Sequence, residues 1–211
     1  MNVSATSNSM RILHLSDTHG YHRRLRDLPA ADVVVHSGDF TMHGSADEAE
    51  DFINWLCDLD YRYKLFTCGN HDFCMYRATV SGLSDTVHLL YNSGVEIEGV
   101  KFYGVPLFVP DCADGRQEQY EADIPLDIDV LVTHRPPYGI LDYADQTNYG
   151  SATLLRRVHE IKPRLHLFGH IHQQYGVLKR GETIYSNAAM MNESNRTLNA
   201  PQLFEIQRGP L

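Results

Sequence analysis

RILHLSDTH, residues 11–19, is a short apolar run that ends in two potential metal ligands, Asp17 and His19, and its form recurs four more times along the chain. Residues 31–37 lead into Gly38-Asp39, and residues 63–68 into Gly69-Asn70-His71-Asp72. Residues 129–133 lead into His134, and residues 164–168 into Gly169-His170-Ile171-His172. Runs of this length, rich in aliphatic and β-branched residues, read as buried strands. Groups placed just past strand ends converge at one edge of a sheet, where open α/β folds take their ligands. The five segments therefore predict a sheet and a site at its edge.

Outward from these runs, residues 46–59 carry Phe52, Ile53, Leu56 and Leu59 at helical spacing behind Ser45, a fair N-cap. Ser151 likewise precedes Leu154, Leu155, Val158 and Ile161, an amphipathic helix expected to turn Arg156 and Arg157 outward. Segments 94–97, 101–106, 176–178, 183–186 and 203–206 are short, apolar and separated by turns, as strands are. The proportion of strands and helices predicts an α/β layered sandwich with sheet at its centre and helices outside.

Composition narrows the class. With 211 residues, 43% hydrophobic, the chain buries a real core and needs one domain, read here as residues 11–211. Residues 1–10 are Ser- and Asn-rich and read as a disordered leader, with translation able to begin at Met10. No apolar stretch approaches the roughly 18 residues of a membrane span. Cys57, Cys68, Cys74 and Cys112 form no C-x-x-C pair, so reduced thiols and a cytoplasmic location are expected. A net charge of -9 disfavours long nucleic acid, whose binding rests on Lys and Arg, and leaves small phosphorylated partners.

The clusters carry the chemistry. Asp17 and His19, two apart, can aim at one ion, and Asp39 has two oxygens with which to bridge two ions about 3.5 to 4 Å apart, the spacing of two-metal hydrolases. Asn70 offers a neutral carbonyl oxygen, and His134, His170 and His172 offer imidazoles. A set without thiolate suits manganese, iron or zinc better than a structural zinc site. Taken singly, each has a plainer reading, since a His beside a strand is more often hydrogen-bonded than metal-bound. His14, His36 and His166 fall within strands and receive that plain reading; His22, His43, His88 and His159 read as loop or helix-surface residues, with His43 near enough to Asp39 to line the site. Five clusters, each after a strand, reverse the preference for the ligands.

The series D-x-H, G-D, G-N-H-[DE], H and G-H-x-H is complete here and resembles that of the calcineurin-like metallophosphoesterases, over nearly all of residues 11–206. Gly38-Asp39-Phe40-Thr41, the segment from Pro136 through Tyr138 to Asp142, Tyr175-Gly176 and Ser186-Asn187-Ala188 are similar to a small brain-type, class III phosphodiesterase-like subgroup. The resemblance implies a four-layer αββα sandwich and in-line displacement at phosphorus. It also implies Asp17, His19 and His172 on a first divalent ion, Asn70, His134 and His170 on a second, and Asp39 between them. His71 would contact the phosphate or the leaving group, with Asp72 orienting it. Manganese is the first expectation, with iron, zinc or magnesium as alternatives. Small phosphodiesters such as cyclic nucleotides are the expected substrates; the alternatives are a phosphomonoesterase and a non-catalytic metal-binding scaffold. Arg135 stands where the subgroup commonly has Gly, and its guanidinium either clamps phosphate or faces outward. Tyr138 and Phe40 are similarly open between substrate stacking and packing.

Overall fold

The computed structural model describes residues 8–192 and 198–209. In chain order the elements are β1 (Ser9–Leu15), β2 (Val33–His36), α1 (Ala46–Asp58), β3 (Tyr63–Phe66), β4 (Val87–Leu89), β5 (Ser93–Ile97), β6 (Val100–Val105), α2 (Val109–Ala113), α3 (Arg116–Ala122) and β7 (Val130–Thr133). They continue with β8 (Tyr143–Ala144), β9 (Thr147–Asn148), α4 (Ala152–Ile161), β10 (Leu165–Phe168), β11 (Gly176–Arg180), β12 (Thr183–Asn187) and β13 (Gln202–Gln207). One sheet has the order β13-β1-β2-β3-β4 and the other β11-β12-β10-β7-β6-β5. Strands β1 to β4 run parallel to their neighbours, as do β6, β7, β10 and β12, while β13, β5 and β11 are antiparallel edges.

Side-chain alternation along these strands builds four layers. Ile12, Val33, Val35 and Leu65 of the first sheet meet Phe102, Val130, Val132, Leu165 and Leu167 of the second between the sheets. On the other face of the first sheet, Leu13, Leu15, Val34 and Phe66 pack on Phe52, Trp55 and Leu56 of α1. Leu131, Phe168 and Tyr185 on the far side of the second sheet pack on Leu154 and Val158 of α4. Consecutive residues thus serve different cores, because strand side chains point alternately to opposite faces. This is the αββα sandwich.

Both predicted helices start at their expected caps. Ser45 accepts from Glu48 N while the Glu48 carboxylate accepts from Ser45 N, a reciprocal capping box. Ser151 Oγ accepts from Leu154 N at 3.1 Å to open α4. Three expectations are corrected. Ser9 and Met10, assigned to the leader, begin β1: Met10 is fully buried and pairs with Ile206, since β13 supplies an antiparallel partner that extends the strand. The rest of that leader, residues 1–7, lies outside the described residues. Arg156 faces outward, but Arg157 lies against the protein and donates Nε–H to the Ile124 carbonyl at 2.7 Å. His22 is buried beneath α1, 3.0 Å from Asp51 and edge-on to Phe52.

Candidate metal centre

Each of the seven candidate ligands lies just beyond the carboxyl end of a parallel strand, β1, β2, β3, β7 or β10, with His172 opening a short 3-10 helix. Four of them, Asp17 (φ 52°), His19 (φ 43°), Asp39 (φ 56°) and His170 (φ 71°), hold left-handed backbone conformations. Non-glycine residues there cost on the order of 1–3 kcal/mol each and persist only where their surroundings over-determine them. That constraint is visible. Asp17 N donates to Gly38 O at 2.9 Å, His19 N to Asp39 O at 3.0 Å and Gly20 N to Phe40 O at 2.8 Å, lacing the turn after β1 to the turn after β2. An isolated bridge between Ser16 and Ala189 then joins this end of the first sheet to the second.

The turns bring the ligand atoms into overlapping groups. Asp17, His19 and His172 form one, and Asp39, His134 and His170 another, with the ligand atoms of each within 4.8 Å of one another. His172 Nε2 lies 3.4 Å from Asp17 Oδ1 and 3.3 Å from His19 Nε2. Asp39 Oδ2 stands 3.2 Å from His134 Nε2 and 4.0 Å from His19 Nε2, between the two groups. His19, Asp39 and His71 make a third group across the middle. Asn70 joins His19, Asp39, His170 and His172 in lining a cleft of about 200 Å³, together with His71 and Met42.

Two buried atoms test whether this arrangement fits metal. Asn70 Oδ1 and His134 Nε2 are without hydrogen-bond partners, the latter close to Asp39 but off the line of a bond. Buried polar atoms are nearly always satisfied, and an unsatisfied oxygen and nitrogen facing carboxylates and imidazoles are what a cation would complete. The donor set fits a pair of divalent ions.

Backbone carbonyls after β2 aim three of the imidazoles. His134 Nδ1 is 3.0 Å from Ser37 O, His19 Nδ1 3.2 Å from Thr41 O, and His71 Nδ1 3.0 Å from Met42 O. A carbonyl only accepts, so Nδ1 carries a proton in each ring and Nε2 is the atom left to face the cleft. Close approach explains two motif glycines. A Cβ on Gly69 would collide with Asp39 Oδ1, and one on Gly169 with Asp17 Oδ2.

The comparisons with known proteins follow the same geometry. The family described as calcineurin-like phosphoesterase matches residues 10–174. The chain belongs to this family. It is 33% identical to a UPF0046 protein of Caenorhabditis elegans over 96% of this chain and 77% of that protein. It is 30% identical to the human metallophosphoesterase domain-containing protein 1 over 93% of this chain and 71% of that one. TT1561 of Thermus thermophilus, at 12% identity and a TM-score of 0.59 over 94% of this chain and 98% of that one, shares the fold. A calcineurin-like phosphoesterase is a metal-dependent phosphoester hydrolase, and the ligand groups here supply what a dinuclear divalent site demands.

The carboxylates and imidazoles of the site set one another's charge. Burial alone would raise the Asp17 carboxyl, yet His172, His134 and His19 hold it well below the usual carboxylate range. Burial opposes a charge on His134, but Asp39 and Asp17 outweigh it and push the imidazole up to about 9. Burial and the neighbouring His134 take His170 down to about 4. A proton on His134 Nε2 competes with a cation for one lone pair, and below about pH 9 that proton is present. Manganese affinity should therefore rise with pH and level off above about 9. Calorimetric titration near pH 7 in buffers of differing ionisation enthalpy should show protons released on uptake; an affinity flat with pH, with no proton release, would show that His134 is not displaced from its proton by metal.

One expected role is corrected here, and residues with two open readings receive one. Asp72 does not touch the His71 ring, which Met42 O orients; its carboxylate accepts from Asp39 N and Gly69 N, each at 2.8 Å, and from Thr41 N at 2.9 Å. Asp72 therefore clamps the turns after β2 and β3 together. Burial and the adjacent Asp39 push its carboxyl up to about 7, against the pull of the Gly69 and Thr41 amides. Arg135 turns from the cleft and pairs with Glu121 at 2.7 Å and Glu118 at 3.3 Å on α3, so it does not clamp phosphate. Phe40 is fully buried and stacked on Phe52 at 4.3 Å, a packing residue. Tyr138 is exposed, and His43 pairs with Glu48 at the surface without lining the cleft. His14, His36 and His166 are buried and hydrogen-bonded to Ser186 and Ser37, to Thr18 and to Thr133, respectively. Met42 lines the cleft unforeseen; no residue pattern marks a Met that enters a site from a turn.

Proposed function

We propose that this chain is a phosphodiesterase acting on small diesters such as cyclic nucleotides, with two divalent ions, manganese first, held by Asp17, His19 and His172 and by Asn70, His134 and His170, and bridged by Asp39. The observation that carries the diester reading is the lining of the cleft, which holds no Lys or Arg among the described residues. A monoester brings an extra negative charge that no Lys or Arg here meets, whereas a diester brings one charge. At about 200 Å³ the cleft is also smaller than the roughly 300–1,000 Å³ of most small-molecule sites, so it seats a phosphoryl group and leaves both ester substituents outside.

Bound at these ligands, the ions would supply a nucleophile at neutral pH and offset charge on the phosphoryl oxygens. The chain's own groups do the rest. The bond from His71 to Met42 O holds the ring by Nδ1, leaving Nε2 for the substrate. Only the imidazolium donates from Nε2, so in this reading His71 passes that proton to the departing oxygen and is left neutral. Asp72 keeps the Asp39 and Asn70 turns at the spacing this needs. A cytoplasmic setting belongs to the same reading, supported by four unpaired cysteines; no helix among the described residues is long and apolar enough to cross a membrane.

The test is kcat/KM on the manganese-loaded enzyme for bis(p-nitrophenyl) phosphate against p-nitrophenyl phosphate, then for 2′,3′- and 3′,5′-cyclic nucleotides. The diester is expected to be preferred. Turnover of the monoester with none of any diester would replace this reading with a phosphomonoesterase; turnover of neither by the metal-loaded protein would favour a metal-binding scaffold.

A further inference from the structure

The first group draws on both sheets, Asp17 and His19 following β1 and His172 following β10, with His172 Nε2 3.4 Å from Asp17 Oδ1, and no regular strand ladder joins those sheets among the described residues. What joins them at this point is the segment that begins with Asn187, the last residue of β12, which is fully buried. Its side-chain Nδ2 donates to Ile171 O at 2.8 Å, and its Oδ1 accepts from Ala189 N at 3.1 Å. Its own carbonyl accepts from Gln202 Nε2 at 2.8 Å. From there the chain crosses over: Ala188 N donates to Phe168 O at 3.0 Å, Met190 N to Ser16 O at 2.8 Å and Met191 N to Asp17 O at 3.3 Å.

The Ile171 carbonyl belongs to the peptide plane that carries the His172 nitrogen, so a donor fixed on that oxygen fixes where the His172 side chain starts. The amides of Met190 and Met191 meanwhile fix the backbone of Ser16 and Asp17. We infer that Asn187 is a positioning residue that registers His172 against Asp17 and so sets the geometry of the first metal site. The residue type follows from the contacts. Ile171 O only accepts and Ala189 N only donates, so the side chain between them must offer both a donor and an acceptor, as an amide does. An aspartate would set oxygen against oxygen, and alanine would leave Ala189 N without its acceptor and Ile171 O with the Gln174 amide alone. His170 is held by a bond that does not use Asn187, its N–H donating to Asp17 Oδ2 at 3.0 Å, so the second site keeps that support when the Asn187 side chain changes.

This inference rests on the reading that divalent ions occupy the ligand groups, and its test separates the two. Manganese is titrated calorimetrically into metal-free wild type, Asn187→Ala, Asn187→Asp and, as the reference for a lost first site, His172→Ala. Wild type is expected to take two ions. Both Asn187 variants should hold one ion with unchanged affinity and the other roughly 10- to 100-fold more weakly, the usual effect of removing a group that orients a ligand. Asn187→Asp keeps the volume and the acceptor for Ala189 N, so it carries the test if Asn187→Ala loses its structure. In the His172→Ala background, Asn187→Ala should weaken the remaining site no further, because two changes acting through one group do not add. Two unchanged sites in the variants, equal weakening of both sites, or a further loss in the His172→Ala background would each overturn the role of Asn187. Fewer than two ions on wild type would instead overturn the two-metal reading.

Discussion

Replacing Asp39 is expected to weaken both metal sites at once and to take activity down by at least the roughly 10²–10³-fold that removal of one preorganised charge-stabilising group costs. The expectation comes from the place of Oδ2, 3.2 Å from His134 Nε2 and 4.0 Å from His19 Nε2, on the boundary between the two ligand groups. The other oxygen acts on the backbone, since Oδ1 accepts from His71 N at 2.8 Å and steadies the turn after β3. Asp39 also sits at φ 56°, a conformation Asn and Asp tolerate and Ala resists. Asp39→Ala thus combines ligand loss with backbone cost and a loosened turn. Asp39→Asn keeps the volume, an acceptor for His71 N and the backbone preference, and removes the negative charge shared by two ions. Elemental analysis after manganese loading should give near two ions for wild type and fewer than one for either variant, with the far-ultraviolet circular dichroism of metal-free Asp39→Asn matching wild type. One ion retained at full affinity by Asp39→Asn would show that Asp39 serves a single site.

How much of this was readable beforehand depends on what kind of constraint placed each residue. The strands are legible because β1, β2, β3, β7 and β10 are buried on both faces, so burial writes itself as a largely apolar run. The starts of α1 and α4 were legible because a cap acts within three residues of chain. By contrast α2 and α3 give no apolar period: α3 buries Gln117 and Glu121, polar residues made acceptable by Pro106 O, Arg135 and Ser151. Those partners are distant in sequence, and so the pattern is unreadable from the helix alone. The burial of His22 is hidden for the same reason, since the Asp51 carboxylate that satisfies it comes from α1.

Within the site, residue types announced the ligands, but the relations among them did not follow from type. The left-handed backbone at Asp17, His19, Asp39 and His170 depends on turns laced together across the sheet, and no pattern marks it. The carbonyls of Ser37, Thr41 and Met42 that orient three imidazoles carry no side-chain signature at all. Asp72 shows how a motif position misleads: adjacency to His71 suggests a carboxylate serving that ring, whereas the geometry directs it to backbone amides on two turns.

His71→Ala is expected to keep both ions while kcat falls by roughly 10²–10⁴, the usual range for loss of a positioned proton donor. The competing account is structural. His19, Asp39 and His71 bring their ligand atoms within 4.8 Å of one another, so proximity alone would allow His71 to be a ligand. Three facts favour the donor role: the other ligand groups are complete without His71, its ring lines the open cleft, and its Nδ1 is spent on Met42 O. The experiment reads metal content and rate together. Wild-type metal content with a depressed kcat assigns the leaving-group role, and loss of one ion assigns His71 to the metal. A second measurement separates proton donation from mere positioning. If His71 Nε2 protonates the departing oxygen, the defect should shrink as the leaving group becomes more acidic, because a nitrophenolate departs with little help whereas the alkoxide of a ribose needs a proton. The ratio of wild-type to His71→Ala rates should therefore be larger for a cyclic nucleotide than for bis(p-nitrophenyl) phosphate. Equal ratios on both would leave His71 holding the phosphate and would remove the general-acid step.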